Sequence, residues 1–177
     1  MATHEYPEDL QALITQNDIK FPSVEHITAA DALKLSATSA PPTTLFLDCR
    51  SEAEQSISII PSAIPYSSFD FDASQATKTT TVICYCTIGY RSAIRAQELK
   101  ALHPSLTVYN LSGSVLSWSH VGGTFVDSQN RPTNKLHVYG NEWDKAAPEI
   151  ETVKFGFLNF MLESLREVSR MIVSKFK

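Results

Sequence analysis

Short apolar runs alternate with amphipathic stretches along most of the chain. Residues 45–47, 82–85 and 106–111 are strand-sized, apolar on both faces and rich in β-branched or aromatic side chains. Runs of that kind read as strands covered by helices on both sides. Between them the spacing turns helical. Thr28 sits as an N-cap before a predicted helix that runs to about Leu35, and Ser51 opens a short one through Glu54. Residues 92–102 set Ile94, Leu99 and Leu102 against Arg95, Glu98 and Lys100. Residues 114–120 predict one or two further helical turns. Strand and helix alternating at this interval predict an α/β domain with a mostly parallel sheet.

Residues 36–44 and 73–81, rich in Ser, Thr and Pro or Lys, read as connectors. Residues 129–148 follow no regular period, and 149–177 read as one long amphipathic helix. Its apolar stripe includes Val153, Phe157, Phe160, Met161, Leu165 and Val168, widened by Phe155, Leu158 and Leu162. The expected organisation is therefore an N-terminal segment (1–21), a domain (22–128), an irregular extension (129–148) and a C-terminal helix (149–177). The wide apolar face and basic end of that helix suit docking on the domain, on a second copy as a homo-oligomer, or on a membrane surface.

Composition narrows the classes. At 177 residues and 43% hydrophobic, the chain can bury an ordinary core. Fifteen Lys and Arg against nineteen Asp and Glu leave a net charge of −4, which disfavours nucleic acid as a partner. The start of the chain carries Glu5, Glu8, Asp9 and Asp18 without a basic residue up to that point, unlike a secretory or mitochondrial leader. No run approaches the roughly 18 apolar residues of a membrane span. The expected compartment is the cytoplasm, with Cys49, Cys84 and Cys86 reduced. The scattered histidines and Cys84-Tyr85-Cys86 lack zinc-ligand spacing, so no metal and no cofactor is expected.

The segment Val82-Ile83-Cys84-Tyr85-Cys86-Thr87-Ile88-Gly89-Tyr90-Arg91-Ser92 carries the chemistry. A strand ends at Tyr85, a loop follows and a helix is expected from Ser92. In a parallel sheet that loop lies at the carboxyl edge, where ligands bind. Loop N–H groups and the positive end of the helix dipole favour the Cys86 thiolate, and the same cradle suits a terminal sulfur added to it. Gly89 supplies backbone freedom, and Arg91 a fixed positive charge.

Cys86-Thr87-Ile88-Gly89-Tyr90-Arg91-Ser92 resembles the rhodanese active-site loop, C-x-x-G-x-R-S. Upstream, Asp48-Cys49-Arg50 with Glu54 and Ile60-Pro61-Ser62-Ala63-Ile64 is similar to the rhodanese D-x-R…E…G-H-I-P-G-A segment. Downstream, Leu111-Ser112-Gly113-Ser114 with Trp118 and Gly122-Gly123 is similar to its L-x-G-G…W…G segment. The resemblance spans about residues 22–128. It implies a rhodanese-like α/β fold, with a central parallel sheet of about five strands flanked by helices. It also implies a sulfurtransferase that carries sulfur as a Cys86 persulfide, from thiosulfate or a persulfide donor to a thiophilic acceptor, each a small molecule or a protein. Thr87, Ile88, Gly89, Tyr90, Arg91 and Ser92 would line the persulfide-binding loop, while Asp48 and Arg50 would mainly brace the strand edge and that loop by hydrogen bonds and a salt bridge.

Ser58-Ile59, Ser62 and Ser114 stand where the family pattern has G-H, G and G. The loop also carries one cation where a thiosulfate specialist would offer more. Two other functions are weighed: a non-catalytic rhodanese-type binding or regulatory module, and a cysteine-dependent phosphatase or arsenate reductase. The latter use a wider C-x5-R ring, whereas four residues separate Cys86 from Arg91. Cys49 and Cys84 read as buried packing rather than resolving thiols. Trp118 reads as core, and His137 as a packing or surface residue rather than an acid or base.

Overall fold

Five parallel strands carry the fold: β1 (His26–Ile27), β2 (Thr43–Asp48), β3 (Ile64–Pro65), β4 (Thr80–Tyr85) and β5 (Thr107–Leu111). The computed structural model describes residues 5–37, 43–69, 80–156, 161, 165, 166 and 169. The sheet order is β1-β5-β4-β2-β3, with Leu47 beside Cys84 and Asp48 beside Tyr85. Parallel strands need crossovers, and these are α2 (Ala29–Ser36), α3 (Glu52–Gln55) and α4 (Tyr90–Leu102), with α5 (Ser114–His120) following β5. Caps fix two of the starts. Thr28 Oγ1 accepts from Asp31 N at 3.1 Å, and Ser51 and Glu54 cap α3 reciprocally.

The two-residue alternation of β4 feeds two cores. Ile83 and Tyr85 face a cluster with Phe46, Leu116, Trp118 and Phe125. Val82 and Cys84 face another with Leu47, Ala96, Leu99 and Val108. Because β4 is central, all four residues from Val82 to Tyr85 are fully buried. Trp118 is core, as expected.

Segments outside the predicted domain join the first core. The sequence pattern predicts no element in residues 1–21, yet they contain α1 (Glu8–Lys20), which inserts Leu10 and Ile14. Residues 129–148 carry β7 (Pro132–Thr133), antiparallel to β6 (Phe125–Val126), and also β8 (Lys135–His137). Leu136 and Val138 are fully buried there.

The helix expected from residue 149 does not begin there. Residues Glu151–Val153 form β9, parallel to β8, and Val138 N–H donates to the Val153 carbonyl. Ladder hydrogen bonds and β-branched Thr152 and Val153 outweigh the helical spacing. Phe155 packs tilted against His137 and edge-on against Tyr139 instead of extending a helical stripe. Residues 161, 165, 166 and 169 are helical, and the rest of the predicted helix lies outside the described residues, as does most of the 73–81 connector.

Candidate active site

Cys86 follows the last residue of the central strand and precedes α4, a 13-residue helix whose N-terminus faces it. The helix starts at Tyr90, one half-turn earlier than expected. The turn that brings it back over the cysteine requires φ of +109° at Gly89, a conformation side chains rarely adopt. Gly89 N–H thereby donates to Cys86 Sγ at 3.2 Å, and the Ser92 hydroxyl lies 3.5 Å from the same sulfur. Burial alone would push the Cys86 thiol up. The Arg91 charge, the Ser92 hydroxyl and the N–H groups of Ser92 and Gly89 outweigh it, and the thiol titrates below its ordinary value.

A second tier holds these donors in place. Asn110 Nδ2 donates to the Gly89 carbonyl at 3.1 Å, while its Oδ1 accepts from Ser92 Oγ at 2.7 Å. Ser114 Oγ accepts from Cys86 N at 3.0 Å. Both Ser62 and Ser114 adopt positive φ, +63° and +48°, so the glycine-like turns of the family pattern are retained by serine.

Arg91 does not simply face the sulfur. Its Nη1 donates to Glu54 Oε2 and its Nη2 to Glu54 Oε1, each at 2.7 Å. Thr87 Oγ1 joins the pair, donating to Glu54 Oε1 at 3.1 Å and accepting from Arg91 Nη2 at 3.0 Å. The guanidinium also lies 5.2 Å from the Tyr139 ring centre. Glu54 is fully buried. Burial raises its pKa, but Arg91, Arg50 and the Ser51 N–H reverse this and bring it to about 2. The loop cation is thus neutralised by a buried carboxylate that anchors the loop to α3.

Asp48 and Arg50 form a salt bridge at the strand edge and reach Tyr85, the last residue of β4, and the Ser58 carbonyl. Arg50 Nη2 donates to Asp48 Oδ2 at 2.7 Å and to the Ser58 carbonyl at 2.6 Å. Tyr85 Oη donates to Asp48 Oδ2 at 2.7 Å and accepts from Ile60 N at 3.2 Å. This ties residues 58–60 to the end of β4, one residue before Cys86. Glu54, Tyr85, Asn110 and Ser114 were not singled out as site residues. Glu54 stands at the E of the family pattern and at the position that caps α3 with Ser51, two signals that could have marked it.

A cavity of about 290 Å3 opens over Cys86. Thr87, Ile88, Tyr90 and Arg91 supply its floor and rim. Its remaining walls come from α1 (Leu13, Asn17, Lys20) and the extension (Tyr139, Glu142, Trp143). Tyr90 is 40% exposed, packed edge-on against Phe21 with Lys20 above its ring. His137 is buried, and its Nδ1 accepts from Tyr139 N at 3.0 Å, the geometry of a packing residue. Burial lowers its pKa, with Glu54 opposing and the two arginines reinforcing. Cys49 and Cys84 are free thiols, Cys84 within the second core and Cys49 against it. Burial, then the adjacent Cys84 thiol, push Cys49 well up, away from reactivity.

No curated protein matches the chain. Among solved structures, thiosulfate sulfurtransferase from Pseudomonas aeruginosa aligns with a TM-score of 0.55 at 21% identity, over 70% of this chain. The chain spans 24% of that enzyme's length. A Rhodopseudomonas palustris protein of unknown function, described as a possible tyrosine phosphatase, aligns at 22% identity and TM-score 0.47, over 70% of this chain and 97% of its own. A rhodanese-like domain protein from Staphylococcus aureus aligns at 26% identity and TM-score 0.43, over 54% of this chain and 91% of its own. The family model for the rhodanese-like domain matches residues 28–120, more than half of the sequence and all of the Cys86 loop. By that match and by its five-stranded parallel sheet, the chain belongs to the rhodanese-like domain family.

Proposed function

We propose that the chain is a sulfurtransferase that passes sulfane sulfur from a small-molecule or protein donor to a thiophilic acceptor through Cys86. The thiolate attacks the outer sulfur of the donor. A new bond joins that sulfur to Cys86 Sγ, the donor's own bond to it breaks, and the donor remainder leaves with the electron pair. The acceptor then removes the sulfur and regenerates the thiolate. Gly89 N–H, the α4 N-terminus and the Ser92 hydroxyl stabilise negative charge on either sulfur. The observation carrying this reading is the Cys86 thiol itself, held 3.2 Å from Gly89 N at the base of a cavity.

The test is intact mass after exposure to thiosulfate and, separately, to glutathione persulfide, followed by cyanide and assay of thiocyanate. One added sulfur, discharged by cyanide and absent from Cys86→Ser, is the expected result. A folded protein that no donor loads would overturn the reading in favour of a binding or regulatory module.

A further inference from the structure

The walls of the Cys86 cavity come largely from outside residues 28–120, the part the family model matches. Leu13, Asn17 and Lys20 reach it from α1, and Tyr139, Glu142 and Trp143 from the extension. Its recognition chemistry therefore belongs to what this chain adds around the shared domain. Resting on the sulfurtransferase reading, we infer that the donor is an organic persulfide of the amino-acid or small-peptide type, bearing a carboxylate, rather than inorganic thiosulfate.

Size comes first. A cavity of about 290 Å3 is near the lower end of the roughly 300–1,000 Å3 typical of organic ligand sites, and a compact inorganic dianion would leave most of it unfilled. Charge comes second. Thiosulfate needs concentrated positive charge, but Arg91 is held at 2.7 Å through both terminal nitrogens by Glu54. Lys20 at the rim forms no ion pair among the described residues, its ammonium lying 5.8 Å from the Tyr90 ring centre. One such cation matches one carboxylate. Glu142, also without an ion pair among the described residues, matches the ammonium of an amino-acid-type donor.

The third observation is Asn17. It is 8% exposed and lines the cavity, yet its carboxamide has no hydrogen-bond partner among the described residues. Facing the cavity, the carboxamide keeps contact with solvent, and the amide or carboxylate of an amino-acid-type ligand would take the place of that water. The apolar stem of such a ligand lies against Leu13, Ile88 and Trp143. In the transfer, Cys86 thiolate attacks the outer sulfur of the persulfide. The donor's S–S bond breaks, the Cys86 S–S bond forms, and the thiol leaves as thiolate to be protonated by water. No net oxidation occurs.

The experiment measures Cys86 loading, by intact mass, against the concentration of four donors: glutathione persulfide, its dimethyl ester, a neutral alkyl persulfide and thiosulfate. Each is run on the wild type, Lys20→Gln and Asn17→Ala. Glutathione persulfide is expected to load at the lowest concentration. Lys20→Gln should raise its half-saturating concentration roughly fivefold, while leaving the ester and the alkyl persulfide unchanged. Asn17→Ala should weaken the glutathione donor without slowing loading at saturation. Thiosulfate loading as readily as glutathione persulfide, or an equal effect of Lys20→Gln on charged and neutral persulfides, overturns the substrate class while leaving sulfur transfer intact. Loading by none of the four overturns both.

Discussion

Replacing Glu54 with Gln tests the anchor of the active-site loop. The Glu54 oxygens accept five hydrogen bonds: two from Arg91, one from Thr87, and two from Ser51, through its N–H at 3.0 Å and its hydroxyl at 2.9 Å. Glutamine keeps one accepting oxygen and turns an N–H2 group toward donors, so Arg91 keeps its charge beside a neutral, mismatched partner. Removing one member of a buried ion pair costs about 3–5 kcal/mol. A second route gives a similar figure. A carboxyl moved from its ordinary 4.5 to about 2 contributes on the order of 3 kcal/mol above pH 4.5. Urea unfolding at pH 7 should then move the midpoint of Glu54→Gln down by roughly 1–2 M. Because the folded-state pKa is depressed, the stabilisation is complete above 4.5 and fades as pH falls toward about 2. The gap between wild type and variant should therefore hold from pH 7 to 5 and narrow below 4.5. A gap under about 1 kcal/mol at pH 7, or one that persists unchanged in acid, would refute the assignment. Pairing Glu54→Leu with Arg91→Leu should recover most of the stability without restoring Cys86 loading, since no charge is then stranded.

Three further outcomes follow from the geometry. Ser92→Ala removes a hydroxyl 3.5 Å from Cys86 Sγ, so the inflection in the pH profile of Cys86 alkylation should move upward; an unmoved inflection would remove Ser92 from the cradle. Leu136→Ala should cost about 2–5 kcal/mol by thermal unfolding, because Leu136 is fully buried in the main core; a loss below 1 kcal/mol would mean the extension packs only loosely. Ser62→Gly relieves a φ of +63° at an exposed turn and should stabilise the protein by up to about 1 kcal/mol in urea unfolding, whereas a destabilised variant would show that the serine side chain outweighs the strain.

What the sequence disclosed was local. Strands β2, β4 and β5, the caps at Thr28 and Ser51, and the helices after Cys86 and Gly113 each follow from short-range spacing and cap chemistry. So does the position of Cys86 between a strand and a helix. The misjudged segments were those in which long-range pairing outvotes local spacing. Val153 and Phe155 fit a helical stripe, but β8 offers a ladder to residues 151–153, and the aromatic faces of His137 and Tyr139 capture Phe155. Helix α1 escaped notice because its apolar positions are sparse, and Leu10 and Ile14 gain burial only once the sheet exists.

The same distinction divides the active site. The atoms touching Cys86 Sγ come from residues 89 and 92, close enough in sequence for one loop motif to announce them. What fixes those atoms comes from farther away: Asn110 from the end of β5, Ser114 from the start of α5, Glu54 from α3. All three lie after the carboxyl ends of β2 or β5 or at the last residues of β5, the two strands flanking β4, and the parallel order delivers them to one edge. A cysteine placed there gains a lowered pKa from the Arg91 charge first, and then from the Ser92 hydroxyl and the N–H groups of Ser92 and Gly89, although Glu54 pairs with that arginine at 2.7 Å. That arrangement keeps the buried sulfur from facing a strong unpaired cation, so an anionic donor must find its charge partner at the cavity rim rather than its floor. Rim residues belong to α1 and the extension, so on the proposed reading donor choice lies with elements that also pack into the main core through Leu10, Ile14, Leu136 and Val138.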